Sequence, residues 1–219
     1  MNRFLLPICI LITSLIYIFF NPEQIKWLSI LSKLLPMILI FIYGIYQKNT
    51  STKNYKTILL IGLFACALGD ALIEFSFVLG LFSFLIGHLF YIGAFSKLRK
   101  FSVSSVLFIM LIIIYGIILG YNLTDALTRG DQSQLILPVI CYILVISTMG
   151  ATASMSQNPF VIIGSILFII SDSVLAWSRF IGPLYFDSEI IMLTYYGAQF
   201  FIIQSLSHQK LPMTIKNKL

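Results

Sequence analysis

Two aspartates stand where carboxylates are rarely placed. Asp70 lies in Ala67-Leu68-Gly69-Asp70-Ala71-Leu72-Ile73 and Asp172 in Ile169-Ile170-Ser171-Asp172-Ser173-Val174-Leu175, each deep in an apolar run. An ionisable side chain at membrane depth is costly, and marks a functional site unless it only bonds a hydroxyl or backbone group of a neighbouring helix. Two carboxyls sharing an apolar cavity do not both ionise readily. One then stays protonated as a general acid, while the other acts as base or stabilises a developing cation.

Other polar residues fall near the same depth. Glu74 follows Asp70 by one helical turn and is placed to support it or to reach interfacial water. His88 lies mid-run with Tyr91 three residues on, read as an interhelical hydrogen-bond partner or a site residue. Tyr195, Tyr196 and Gln199 form a polar patch in the last apolar run. Lys33 either snorkels to the interface or clamps a phosphate or carboxylate at a cavity mouth, with Arg179 a weaker candidate. His88 and His208 are the only histidines, so no His-rich zinc site can be built and no metal or cofactor is expected. Cys9, Cys66 and Cys141 are dispersed without CxxC spacing and read as small hydrophobes. No GxSxG motif and no glycine-rich phosphate loop occurs.

The elements that position these groups follow from composition. Of 219 residues, 59% are hydrophobic and 10% charged, and the mean hydropathy is +0.98. Too few polar side chains exist to coat a water-facing surface, which excludes a cytosolic enzyme, a disulfide scaffold and a disordered chain. The net charge of +6 sits in short loops between apolar runs and does not make a nucleic-acid groove. A single integral-membrane helical domain over 1–219 is expected: an all-α membrane protein with eight transmembrane helices. The spans fall at about 4–20, 28–46, 57–76, 80–96, 103–121, 135–152, 159–179 and 187–206. Breaks are expected at Asn21-Pro22, Asn54, Asn122, Gly130-Asp131, Asn158-Pro159 and Gly182-Pro183. No small-residue cleavage site precedes Asn21-Pro22, so the first run is retained as a helix.

Lys and Arg collect on the cytoplasmic side. With the N-terminus inside, Arg3, Lys48, Lys53, Lys56, Lys97, Arg99, Lys100, Lys210, Lys216 and Lys218 fall in cytoplasmic loops, and no acid joins them. Lys26, Lys33, Arg129, Arg179, Glu23, Asp125, Asp131, Asp187 and Glu189 fall outside or at the outer interface. The expected topology is N-in/C-in. Asp70 and Asp172 each lie about fourteen residues into outward-running spans, roughly 20 Å at 1.5 Å per residue, so their carboxyls can meet. The two neighbourhoods also match: a small residue precedes each aspartate, an aliphatic residue lies three after it, and Phe77 or Phe180 follows. Their spans are four helices apart and run the same way, which suggests a parallel repeat of four plus four helices with the aspartates facing across the interface.

Gly69-Asp70-Ala71-Leu72, leading through Gly80 and Phe84 to Gly87-His88-Leu89-Phe90-Tyr91, resembles the YhhN-like lysoplasmalogenase family. So do Ser171-Asp172-Ser173-Val174-Leu175-Ala176 with Phe180, and the closing Tyr195-Tyr196-Gly197-Ala198-Gln199. Lys33-Leu34-Leu35-Pro36-Met37 keeps the lysine and later proline of the family's second helix, with Leu34 where a proline is usual. The resemblance implies hydrolysis of the vinyl ether of lysoplasmalogens to a fatty aldehyde and glycerophosphoethanolamine or glycerophosphocholine, with Asp70 and Asp172 as the catalytic pair. On that reading the partners are a lysophospholipid substrate and membrane lipids. His88, Tyr91, Tyr195, Tyr196 and Gln199 hold water and the glycerol oxygens, Lys33 binds phosphate and Glu74 supports the site. The host membrane is a bacterial inner membrane or the endoplasmic reticulum, where the Asn122-Leu123-Thr124 sequon would matter. The rival reading is a proton-coupled small-molecule transporter using the same aspartates as a relay. Against it, neither aspartate-bearing span contains an internal proline, and Pro36 and Pro138 fall near the starts of others.

Overall fold

The computed structural model describes residues 5–20, 25–47 and 53–207. Arg3, Asn21-Pro22, Glu23, Lys48, His208, Lys210, Lys216 and Lys218 lie outside the described residues. Among those described, the regular structure is entirely helical: α1 (Leu5–Phe20), α2 (Lys26–Tyr46), α3 (Lys53–Leu72), α4 (Phe77–Phe95), α5 (Val103–Arg129), α6 (Ile136–Met155), α7 (Pro159–Phe180) and α8 (Asp187–Gln204). Seven helices, α2 to α8, are long and apolar enough to cross a membrane. The described part of α1 is an apolar helix of 16 residues, bounded on both sides by residues outside those described. The chain is an integral membrane protein built from helices.

Several boundaries differ from expectation. Asn54 does not break a span but lies in the first turn of α3. Asn122 sits within α5, its amide donating to the Ile118 carbonyl one turn back at 2.7 Å, and the helix runs on to Arg129. The helix satisfies that polar side chain internally, and an Asp125–Arg129 pair four residues apart supports its last turn. Helix α3 ends at Leu72, so Glu74 lies in the turn to α4 and not in the helix itself. Pro36 lies in the middle of α2 rather than near its start, since that helix begins at Lys26. Pro138 is near the start of α6. Two other breaks behave as turn chemistry demands: Asp131 takes a left-handed φ of 58°, and Asn158 caps α7 through Phe160 N with Pro159 in the first helical position.

Packing is closest in two hairpins, α3 with α4 and α7 with α8, and strong between α5 and α6. Helix α4 also packs on α6, α2 on α8, α2 on α3, and α6 on α7. Each principal hairpin closes on a glycine. A Cβ at Gly62 would come within 2.7 Å of the Tyr91 ring and 3.1 Å of the Gly87 carbonyl. One at Gly164 would come within 2.8 Å of Ile202 and 3.0 Å of the Ala198 carbonyl. Lipid tails are as apolar as leucine, so close backbone approach through small residues, with its dispersion contacts, holds such helices together. Gly62 and Gly164 precede Asp70 and Asp172 by the same eight residues, about two turns. Helix α5, the longest at 27 residues, is the least buried and offers most of its surface outward.

Candidate active site

Asp70 is 2% exposed and accepts a 2.6 Å hydrogen bond on Oδ2 from the Tyr195 hydroxyl of α8. Asp172 accepts one of the same length on Oδ2 from the Tyr142 hydroxyl of α6. His88 of α4, fully buried, brings Nε2 to 3.7 Å from that same Oδ2, and neither ring nitrogen completes a hydrogen bond. Its ring packs edge-on against Phe168 and Tyr142, centroids 4.5 and 5.5 Å away. Phe168 lies between the halves of the site, also packing edge-on against Tyr195 at 5.5 Å.

Lys33 does not snorkel. It is 8% exposed, and Nζ forms a 2.9 Å ion pair with Glu74 while its charge also acts on Asp70. The Tyr196 hydroxyl donates to the Lys33 main-chain carbonyl at 2.8 Å, fixing that turn of α2 just before Pro36. Tyr91 and Gln199 sit deeper, bonded to each other at 2.5 Å and fully buried, and line neither cavity described below. The Gln199 amide nitrogen has no partner. Arg179 lies over the Phe77 ring at 5.3 Å. The structure thus brings together Asp70, Tyr195, Lys33 and Glu74 on one side, and Asp172 and His88 on the other. Tyr91 and Gln199 form a separate pair. Tyr142 is the site residue that the sequence reading passes over. Its signal was a tyrosine seven residues into an otherwise aliphatic span, at the depth of Asp172.

Two cavities adjoin the carboxyls. One is polar, lies among α1, α2, the α3–α4 turn and the start of α8, and is lined by Lys26, Lys33, Glu74, Ser188 and Met192, with Leu175 on its wall. The other is almost wholly apolar and lies among α4, α5, α6 and α7. Ile73, Phe84, Leu123, Tyr142 and Leu175 line it, and Asp172 is its acid. Leu175 borders both cavities. Both lie at the end of the bundle where α3 turns into α4. Among the described residues no group of three or more His, Cys, Asp or Glu could hold a metal ion.

An acid beside an apolar chamber, and a cation–anion pair in an adjoining polar one, suit an amphiphile that reacts near its head group. Comparison with known proteins points the same way. Residues 28–206 match the model of the YhhN family. The chain is 31% identical over 194 residues to lysoplasmalogenase TMEM86B of Homo sapiens, covering 88% of this chain and 81% of the relative. It is 32% identical over 224 residues to lysoplasmalogenase TMEM86B of Mus musculus, covering 93% and 86%. It is 27% identical over 207 residues to lysoplasmalogenase TMEM86A of Bos taurus, covering 86% and 82%. No solved structure matches the chain.

Proposed function

Because the chain belongs to the YhhN family, we propose that it is a lysoplasmalogenase, hydrolysing the vinyl ether of a single-chain alkenyl glycerophospholipid to a fatty aldehyde and glycerophosphoethanolamine or glycerophosphocholine. The observation that carries the reading is the placing of Asp172 on the wall of an apolar chamber that shares Leu175 with the polar cavity of Lys33 and Glu74.

A vinyl ether is cleaved by protonating the alkene carbon distal to the oxygen. The resulting oxocarbenium ion captures water at the oxygen-bearing carbon, and the hemiacetal collapses to aldehyde and alcohol. One of Asp70 and Asp172 donates the proton; the other, ionised, stabilises the cation and takes a proton from the attacking water. Tyr195 and Tyr142 each engage Oδ2, which fixes both carboxyls and leaves Oδ1 outside those bonds. His88, beside Asp172 with an uncommitted ring, is placed to hold the water. In the polar cavity Lys33 binds the phosphate, and Glu74 meets the ammonium of the head group.

A four-plus-four parallel repeat accounts for this arrangement. Gly62, Asp70 and Ile73 are separated from Gly164, Asp172 and Leu175 by the same interval. Gly87 and Tyr91 are likewise separated from Ala198 and Ile202 by one interval, and these are the residues that the two glycines meet. Each cavity is then lined from both halves, the polar one mainly by α1, α2 and α8 and the apolar one by α4, α5, α6 and α7. Lys56, Lys97, Arg99 and Lys100 gather at the end opposite the cavities, while Glu74, Asp125, Asp131, Asp187 and Glu189 gather at theirs, in keeping with N-in/C-in topology and a site in the outer leaflet half. Both cavities lie at that one end, which favours the enzyme over a transporter needing access from each side.

The test is aldehyde release from lysoplasmenylethanolamine by the purified protein. Asp70→Asn and Asp172→Asn should each abolish release while the protein still elutes as a folded species. Normal turnover by either variant would sink the assignment.

A further inference from the structure

Building on the hydrolase reading, we propose that the apolar cavity among α4, α5, α6 and α7 is the binding site for the substrate's hydrocarbon chain, and that the chain reaches it from the bilayer through the seam between α4 and α5. Four observations support this. First, α4 and α5 both line the cavity, through Leu81 and Leu119 among others, yet they are not closely packed against each other; α5 rests on α6 and α7. Second, an aromatic pair and a cation stand at the outer end of the cavity. Phe77 at the start of α4 meets Phe180 at the end of α7 edge-on at 5.4 Å, with the Arg179 guanidinium over the Phe77 ring, which makes that end a poorer entry for an apolar chain than the seam.

Third, the walls are hydrocarbon apart from Asp172, the Tyr142 hydroxyl bonded to it, and Ser173, whose hydroxyl bonds Ile169. A chamber so lined offers a polar ligand almost nothing but offers an alkyl chain continuous contact. Fourth, Leu175 lines both this chamber and the cavity holding Lys26, Lys33 and Glu74, and so stands at the divide between them. A molecule with its charged end at Lys33 and its chain between α4 and α6 must cross that divide within reach of Asp172. The bond that crosses is the one joining glycerol to chain. Position along the molecule is thus set by the boundary between polar and apolar chambers, and a second acyl chain on the glycerol would have to occupy the polar one. The occupant is a single-chain lipid.

The experiment uses the full-length protein in detergent or nanodiscs and a probe that cannot be cleaved, a 1-alkyl lysophosphoethanolamine with a diazirine in its chain. After illumination, peptide mapping should place adducts on the cavity-lining faces of α4, α5 and α6, with unlabelled lysoplasmenylethanolamine competing them away. Adducts on α1 and α2, or uncompeted labelling spread over the outer surface, would overturn the proposal. In parallel, Ala176→Phe from α7 and Leu119→Trp from α5 fill the chamber from different walls. Each should raise KM for a long-chain substrate by about tenfold or more while leaving a short-chain substrate nearly unchanged. Equal loss on both substrates by a folded variant counts against the site. If the wild type released no aldehyde, the hydrolase reading would fail, and the labelling pattern would still decide where the chain binds.

Discussion

The Tyr142 hydroxyl donates to Asp172 Oδ2 at 2.6 Å, and the same oxygen lies 3.7 Å from His88 Nε2. The phenol is a fixed donor from a helix other than the one bearing the acid, so it holds one rotamer of the carboxylate and stabilises its charge. Tyr142→Phe removes only the hydroxyl from a buried ring. It should lower kcat by about a hundredfold, as the loss of one preorganised donor does elsewhere, with KM little changed. A steady-state comparison of the two parameters checks it; a change confined to KM would put Tyr142 in substrate binding instead.

Lys33 and Glu74 form the other polar pole of the site, 2.9 Å apart. If Lys33 meets phosphate, Lys33→Met should raise KM by about tenfold to a hundredfold, the worth of one charge-assisted hydrogen bond, with a smaller effect on kcat. Glu74→Gln keeps the shape and removes the charge. It should weaken substrates with a cationic head group more than a lysophosphatidic analogue that has none. Equal effects on both lipids would show that Glu74 serves only to orient Lys33.

Both aspartates, Lys33 and the tyrosines of α8 were legible because a charge or phenol in an apolar run is itself the signal, independent of any fold. The helical class followed from composition for the same reason. What was not legible depended on pairing between distant helices. Tyr142 has a local signal, its place in an apolar span, but that its hydroxyl meets Asp172 of another helix is a long-range contact. Asn122 read as a break, since nothing local tells an asparagine that ends a helix from one that bonds its own preceding turn. Glu74 was assigned to the face of Asp70 by continuing the helical period past Leu72, where the chain in fact turns. The separation of Tyr91 and Gln199 into their own pair follows from the crossing at Gly62, a long-range contact without local trace.

That crossing gives a stability prediction. A Cβ at Gly87 would lie 2.5 Å from Cys66 Sγ and 3.0 Å from the Gly62 carbonyl, which is backbone and cannot swing away. Gly87→Ala should therefore destabilise the protein by about 1–3 kcal/mol, the usual cost of overpacking. Gly182 meets nothing within 4 Å, and Gly182→Ala should be neutral within about 0.5 kcal/mol. Thermal unfolding of the detergent-solubilised protein distinguishes them. Similar losses at both positions would mean that the close approach of α3 and α4 is not what holds the site in register.

The acid–base division predicts a specific pH and isotope response. Turnover needs one carboxyl protonated and the other ionised, so kcat should fall at low pH as the base takes up a proton and at high pH as the acid loses its own, giving a bell. The two limbs belong to the Asp70–Asp172 pair as a unit and not to either residue alone. Because the donated proton goes to carbon, its transfer should limit the rate, and kcat in D2O should fall well below that in H2O at the plateau. The aldehyde should carry solvent deuterium at the carbon next to the carbonyl. In H2 18O the released glycerophospho product should contain no label, since water adds to the vinyl carbon and the glycerol keeps its original oxygen. Label in the glycerol product would mean cleavage on the other side of the ether oxygen, a reaction that a carboxyl acid and an oxocarbenium ion cannot explain.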